Sequence, residues 1–203
     1  MDDSHISTMN LTASERKLPR PKIRRFSARR ELLDLIILIA AIYALVNLST
    51  VRFVVQGPSM EPTFHDNQFL IVSRVNYLLG EPERGDIIVF HYPDDTEEDY
   101  IKRVIGLPGE TIFFQDGMTH IDGEVFEETY INGPCTPFNC DEDREPVVLG
   151  PDEYFVMGDN RNRSRDSRDF GPIRREYIVG EVLIRYWPPE DWGLVSQVSF
   201  SGN

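Results

Sequence analysis

Reactive side chains are few in this sequence, and excess positive charge is confined to one end. Two cysteines, Cys135 and Cys140, supply no thiolate set for a structural zinc, and no His/Asp/Glu grouping has ligand spacing. Neither a metal centre nor a resident cofactor is therefore expected. Three histidines follow residue 50: His65 in a polar turn, His91 before Tyr92-Pro93, and His120 beside the Asp122-Gly123 turn. None sits in a motif that aims it at a nucleophile, which argues against a Ser-His-Asp triad. No internal repeat is visible, and no segment past residue 50 keeps a 3.6-residue apolar period, so neither a solenoid nor a helical domain is expected there.

The charge balance is uneven. The formal net charge is −13, yet residues 1–31 carry eight basic side chains against four acidic ones. The remaining 172 residues carry 13 basic and 30 acidic groups. A basic head on an acidic body marks either a nucleic-acid arm or a topology across a membrane. The next segment decides between them. From Leu35 to Val46 there is no charge, and with Leu32, Leu33 and Leu48 the apolar stretch reaches about 17 residues, the lower end of what spans a bilayer. Asp34 lies near the basic end, where an interfacial position is tolerable. A buried core helix is the other reading of the same run. The arginines and lysines before it favour the membrane, with the N-terminus on the cytoplasmic side. The small residues Ala40, Ala41 and Ala44 lie inside the apolar run rather than after it, so the segment reads as an uncleaved anchor. The organisation expected is a basic cytoplasmic arm over 1–31, an anchor over 32–50 and an extracytoplasmic domain over 51–203. The partners expected are a lipid bilayer and no nucleic acid.

Past residue 50 the chain reads as short strands separated by turns. Residues 69–72, 86–90, 101–105, 111–114, 154–157 and 181–187 are rich in β-branched and aromatic side chains. Glu-Arg-Gly-Asp, Leu-Pro-Gly-Glu, Asp-Gly and Gly-Asp-Asn mark the turns between them. The fold class is mainly β and antiparallel, with a loop-rich inserted lobe over about 115–150. Cys135 and Cys140 lie in that lobe, in GPCTPFNCDED. They read as a small disulfide ring in an exported domain, or as two free thiols.

The stretch GPSMEPT at 57–63 places Ser59 between a Gly-Pro turn and a second proline. The prolines restrict the backbone around the serine, as a nucleophile held on a rigid loop requires. A serine in such a turn is also unremarkable on its own. The lysines sharpen the choice. Past residue 31 the chain has twelve arginines and one lysine, Lys102. Arginine cannot give up its proton in a protein, whereas a desolvated lysine can. In the strand around it, a period of two puts Tyr100, Lys102 and Val104 on one face and Ile101, Arg103 and Ile105 on the other. An aromatic and a valine beside Lys102 predict burial and a pKa pushed towards neutrality. Without Ser59, the same lysine reads better as one snorkelling from a half-exposed strand. Together the two make a Ser-Lys dyad.

Four blocks in order, SMEPT (59–63), RGDIIVF (84–90), YIKRVIGLPGE (100–110) and GDNRNRSRDSRDFG (158–171), follow the apolar run. With it, they resemble the bacterial type I signal peptidases, membrane-anchored serine proteases that remove signal peptides. The resemblance covers residues from about 32 to 189. It implies Ser59 as nucleophile, Lys102 as general base and Ser164 as the serine that orients the lysine amine. It further implies that Asp159, Asp166 and Arg168 brace the site, with Arg103 as a partner. The implied fold is a β-rich catalytic core carrying a small inserted lobe. Some members have a serine where Gly57 stands, and its hydroxyl serves the oxyanion hole; here the Ser59 amide and a second donor are expected to serve. The implied substrates carry small side chains at the first and third positions before the cut, an A-x-A-like pattern. Shallow subsites walled by Met60, Tyr100, Ile101 and Val104 are expected, with the substrate added as a strand to a sheet edge. Trp187 and Trp192 read either as lipid-interface or as core residues. A membrane-tethered binding domain without catalysis offers no reason for the lone lysine. A self-cleaving DNA-binding regulator needs a helical reading domain that the short arm does not provide.

Overall fold

The computed structural model describes residues 28–140 and 144–195. The basic arm as far as residue 27, and the acidic residues 141–143 after the second cysteine, lie outside the described residues. The first element, α1 (Ala28–Ser49), is long and apolar enough to cross a membrane, and none of its residues is buried. It takes in Ala28, Arg29, Arg30 and Glu31 ahead of the expected anchor, all acceptable helix formers. The chain divides into two compact units at Ala41/Ile42, within this helix. The helix ends where β-branched residues begin. Ser49 Oγ donates to Leu45 O at 2.7 Å and Thr50 Oγ1 to Val46 O at 2.8 Å, and β1 (Thr50–Val54) follows at once.

After β1 come β2 (Phe69–Ser73), α2 (Asn76–Leu79), β3 (Ile87–Tyr92), β4 (Asp95–Gly106), β5 (Thr111–Gln115), β6 (Met118–Ile121) and β7 (Glu124–Val125). Then follow β8 (Val147–Val148), β9 (Glu153–Met157), α3 (Ser167–Phe170), β10 (Ile173–Arg174), β11 (Ile178–Trp187) and β12 (Gly193–Leu194). Every pairing among the described strands is antiparallel. The main sheet has the order β1-β2-β11-β3-β4-β9-β10, with β12 on β11. A second sheet, β7-β6-β5-β8, is the inserted lobe, and it starts at Thr111 rather than near 115.

The main sheet is covered on both faces along β4. Ile101 packs with Val55, Met60, Phe64, Leu70 and Val72, whereas Val104 packs with Ile88, Phe90, Tyr154 and Val156. Ile105 joins Ile112, Phe114, Phe155 and Met157, which tie the lobe to the sheet. The plain alternation read from the sequence therefore does not leave one face wet, and a register shift between Val104 and Gly106 bends the strand as it leaves for the lobe.

Candidate active site

Residues 55–68 form a loop closed at its base by Val55 N donating to Gln68 O and Asn67 N to Val55 O, both at 2.9 Å. Met60 and Phe64 are buried beneath it in the core and hold it down. Gly57 has φ of +80°, a backbone region that L side chains rarely adopt, and its N–H donates to Asp66 Oδ1 at 2.7 Å. That amide is therefore committed. Gly57 shapes the loop, and an oxyanion would have to look elsewhere for its second donor. The Ser59 N–H has no acceptor among the described residues. Asn160 clamps the loop from above: its N–H donates to Ser59 O at 3.0 Å and its Nδ2 to Pro58 O at 3.1 Å.

Lys102 arrives from β4, and its Nζ lies 3.0 Å from Ser59 Oγ. The same amine donates to Ile101 O at 2.8 Å. Only 4% of Lys102 is exposed. Burial lowers its pKa from 10.5 to about 8, with Asp166 and Asp159 pulling it up and Arg168 pushing it further down. The amine thus reaches its neutral form within a mild pH range while facing a hydroxyl at hydrogen-bond distance.

Two buried carboxylates lie behind the pair. Asp159 Oδ1 and Oδ2 accept from Arg103 Nε at 2.9 Å and Nη2 at 2.7 Å, a two-point ion pair inside the protein. Thr63 Oγ1 adds a donor to Asp159 Oδ2 at 2.5 Å, which ties the serine loop to β4. Asp166 accepts from Arg168 Nε at 2.8 Å, Arg168 Nη2 at 2.7 Å and Gly158 N at 3.0 Å. Burial alone would raise the Asp166 pKa, but the Arg168 bonds and charge outweigh it and hold the carboxyl below its usual range. Arg168 Nη1 also touches the disulfide formed by Cys135 and Cys140, 3.2 Å from the first sulfur. The ring of the two readings is thus the one present.

Three expected placements differ. Ser164 makes no hydrogen bond to the lysine amine, which is served by Ile101 O; its Oγ is buried over Gly158 and helps hold the Asp166 carboxyl in its charged form. Met60 and Val104 do not wall a groove, because both are 0% exposed and belong to the core on either side of the sheet. Tyr100 and Ile101 do line one. A groove of about 660 Å³ holds Ser59 and Lys102 together with Phe53, Tyr100, Ile101 and Arg165. Trp187 and Trp192 are exposed rather than core.

Several supporting residues were not singled out in the sequence. Thr63 and Asn160 sit inside the quoted blocks, so the blocks were the signal, but their partners are close only in space. Arg161 is buried, and a two-point ion pair joins it to Glu128 of the inserted lobe. Tyr130 of the same lobe lies under the Arg103 guanidinium, 4.0 Å from ring centre to charge. No pattern in the acidic, loop-like stretch around 128–130 marked either residue.

Comparison with known proteins bears on the whole constellation. The family model described as "Signal peptidase, peptidase S26" matches residues 29–187. A probable signal peptidase I-2 from Synechocystis sp. is 37% identical over 70% of this chain, and the match takes in 65% of that relative's length. A probable signal peptidase I-1 from the same organism is 39% identical over 77% of this chain and 84% of its own length. A signal peptidase I from Bacillus caldolyticus is 41% identical, covering 68% of this chain and 79% of the relative. Since the matched region contains the serine loop, the lysine strand, the second sheet and all of the main sheet except β12, the chain belongs to the signal peptidase family, peptidase S26.

Proposed function

We propose that the protein is a membrane-anchored serine endopeptidase that removes signal peptides from exported preproteins, with Ser59 as nucleophile and Lys102 as general base. One observation carries the reading: a buried lysine amine with a lowered pKa stands 3.0 Å from the hydroxyl of a serine on a tightly held loop. The amine in its neutral form takes the Ser59 Oγ proton as Oγ attacks the scissile carbonyl carbon. The Ser59 N–H faces the developing oxyanion. Collapse breaks the C–N bond, and the lysine ammonium returns the proton to the leaving amine. Water then attacks the acyl-enzyme, giving a proton to Lys102, and the C–Oγ bond breaks to restore the serine.

The substrate lies in the groove beside Tyr100 and Ile101, where small side chains before the cut fit against Ile101 and Phe53. Asp159 and Asp166, each paired with a buried arginine, fix the frame in which the two reacting groups stand. α1 is the anchor, with the arm before it on the cytoplasmic side and the domain from about residue 51 outside. Family membership, the apolar helix and the site geometry support this reading.

Cleavage of a preprotein in detergent by the wild type, Ser59→Ala, Lys102→Ala and Lys102→Arg tests it. All three variants are expected to lose activity. Full activity in Lys102→Arg would sink the dyad, because arginine cannot accept the proton.

A further inference from the structure

Leu78 and Leu79 form an apolar pair with 78% and 88% of their surface exposed. They do not sit on a frayed segment. Tyr77, between them and the core, is buried and donates its hydroxyl to Asp86 Oδ2 at 2.7 Å. Asn76 Nδ2 donates to Glu181 Oε2 at 2.5 Å, Gly80 N donates to Asn76 O at 2.9 Å, and Arg175 donates to Tyr77 O. The single turn of α2 is thus pinned on its inner side while it presents two leucines outward. No described residue covers them.

The position of this turn points to what does. Arg74 N donates to Ser49 O at 2.9 Å, and Thr50 pairs with Ser73. The segment 74–79 therefore begins at the last residue of α1, where Leu45 and Leu48 are also exposed apolar residues. Arg74 is exposed beside it, a cation suited to anionic headgroups. Trp187, by contrast, pairs with Phe69 at the other end of β2. We propose that Leu78 and Leu79 insert into the bilayer surface next to the exit of the anchor. They form a second lipid contact that sets the height of the serine loop over the membrane. The inference rests on reading α1 as a membrane anchor, and its occupant is lipid.

The test uses the full chain reconstituted in vesicles of phosphatidylcholine and phosphatidylglycerol. The native cysteines are joined to each other, so Leu79→Cys can be spin-labelled selectively. The label is expected to be more accessible to dissolved oxygen than to a water-soluble nickel chelate. A label accessible to nickel as in free solution overturns the proposal. This readout needs no catalysis, so it stands apart from failure of the proposed protease activity. In a second arm, Leu78→Gln with Leu79→Gln is compared with the wild type. Cleavage of a short soluble peptide in detergent should stay within about twofold, while cleavage of a preprotein embedded in vesicles falls roughly tenfold. Equal cleavage of the embedded preprotein by both proteins overturns the proposal. If the double variant fails on the soluble peptide as well, the spin label alone decides.

Discussion

At the scale of single residues, the proposed role of Lys102 as general base ties activity to pH. Its folded pKa of about 8 lies below the ordinary 10.5, because burial penalises the ammonium. Between these values the unfolded chain binds more protons than the folded one, so this group's contribution to stability improves as pH rises through that window. The single-turnover rate should climb to a plateau with its midpoint near 8 and be about a hundredfold lower at pH 6. Measuring rate and urea midpoint for the wild type and Lys102→Met checks both signs, since the variant should lose the rise in midpoint from pH 8 to 10. Asn160 provides a second residue-scale prediction. Its side chain holds the Pro58 carbonyl beside the Ser59 amide, so Asn160→Ala, which removes that bond and keeps the backbone one to Ser59 O, should lower kcat by roughly tenfold with little change in KM. Gly57→Ser tests the loop itself. Space is open around the new Cβ, but φ of +80° makes the substitution cost about 1–2 kcal/mol, to be read from the denaturation midpoint.

At the scale of elements, the crossing of β4, the serine loop and the loop after β9 is where stability and chemistry meet. Asp159→Ala strands the Arg103 guanidinium inside the protein and should cost about 3–5 kcal/mol in urea unfolding. Thr63→Val removes one donor to the same carboxylate, for which about 1–3 kcal/mol is expected. Gly158→Ala places a Cβ 2.4 Å from Ser59 O, a backbone atom that cannot swing aside. That variant should lose most of its activity even where it folds. Strand interiors were legible here because β-branched and aromatic residues cluster between Gly and Pro turns. β1 was not, since TVRFVV continues an apolar run and only the pairing with β2 separates strand from helix. The groove walls assigned along β4 were only half right for a related reason: alternation predicts which residues share a side, not whether something covers each side, and Val104 is covered.

At the scale of the whole molecule, the inserted lobe acts through its contacts with the core. Glu128 reaches Arg161, Tyr130 supports Arg103, and the Cys135–Cys140 ring rests on Arg168. The disulfide closes residues only five apart, so its loss in Cys135→Ser with Cys140→Ser should cost about 2 kcal/mol by chain entropy. A calorimetric scan under reducing and oxidising conditions should show the wild type falling to the level of the double variant. Acid should weaken the same region. Asp166 titrates below its ordinary range, so its stabilising share is present at neutral pH and is lost as pH falls through the folded pKa.

The sequence by itself determined the apolar helix and the antiparallel β class and singled out Ser59 and Lys102, which stand 3.0 Å apart, because each depends on composition or local pattern. A lone lysine past residue 31 and a serine between prolines needed no partner to be noticed. Only the tertiary structure decided which groups serve that pair. It committed the Gly57 amide to Asp66, kept Ser164 off the lysine amine, and sank Met60 and Val104 into the core. It also brought Asn160 onto a loop a hundred residues earlier and Glu128 onto Arg161. These partners are distant in sequence and meet only when the sheets close, so no spacing along the chain could have named them.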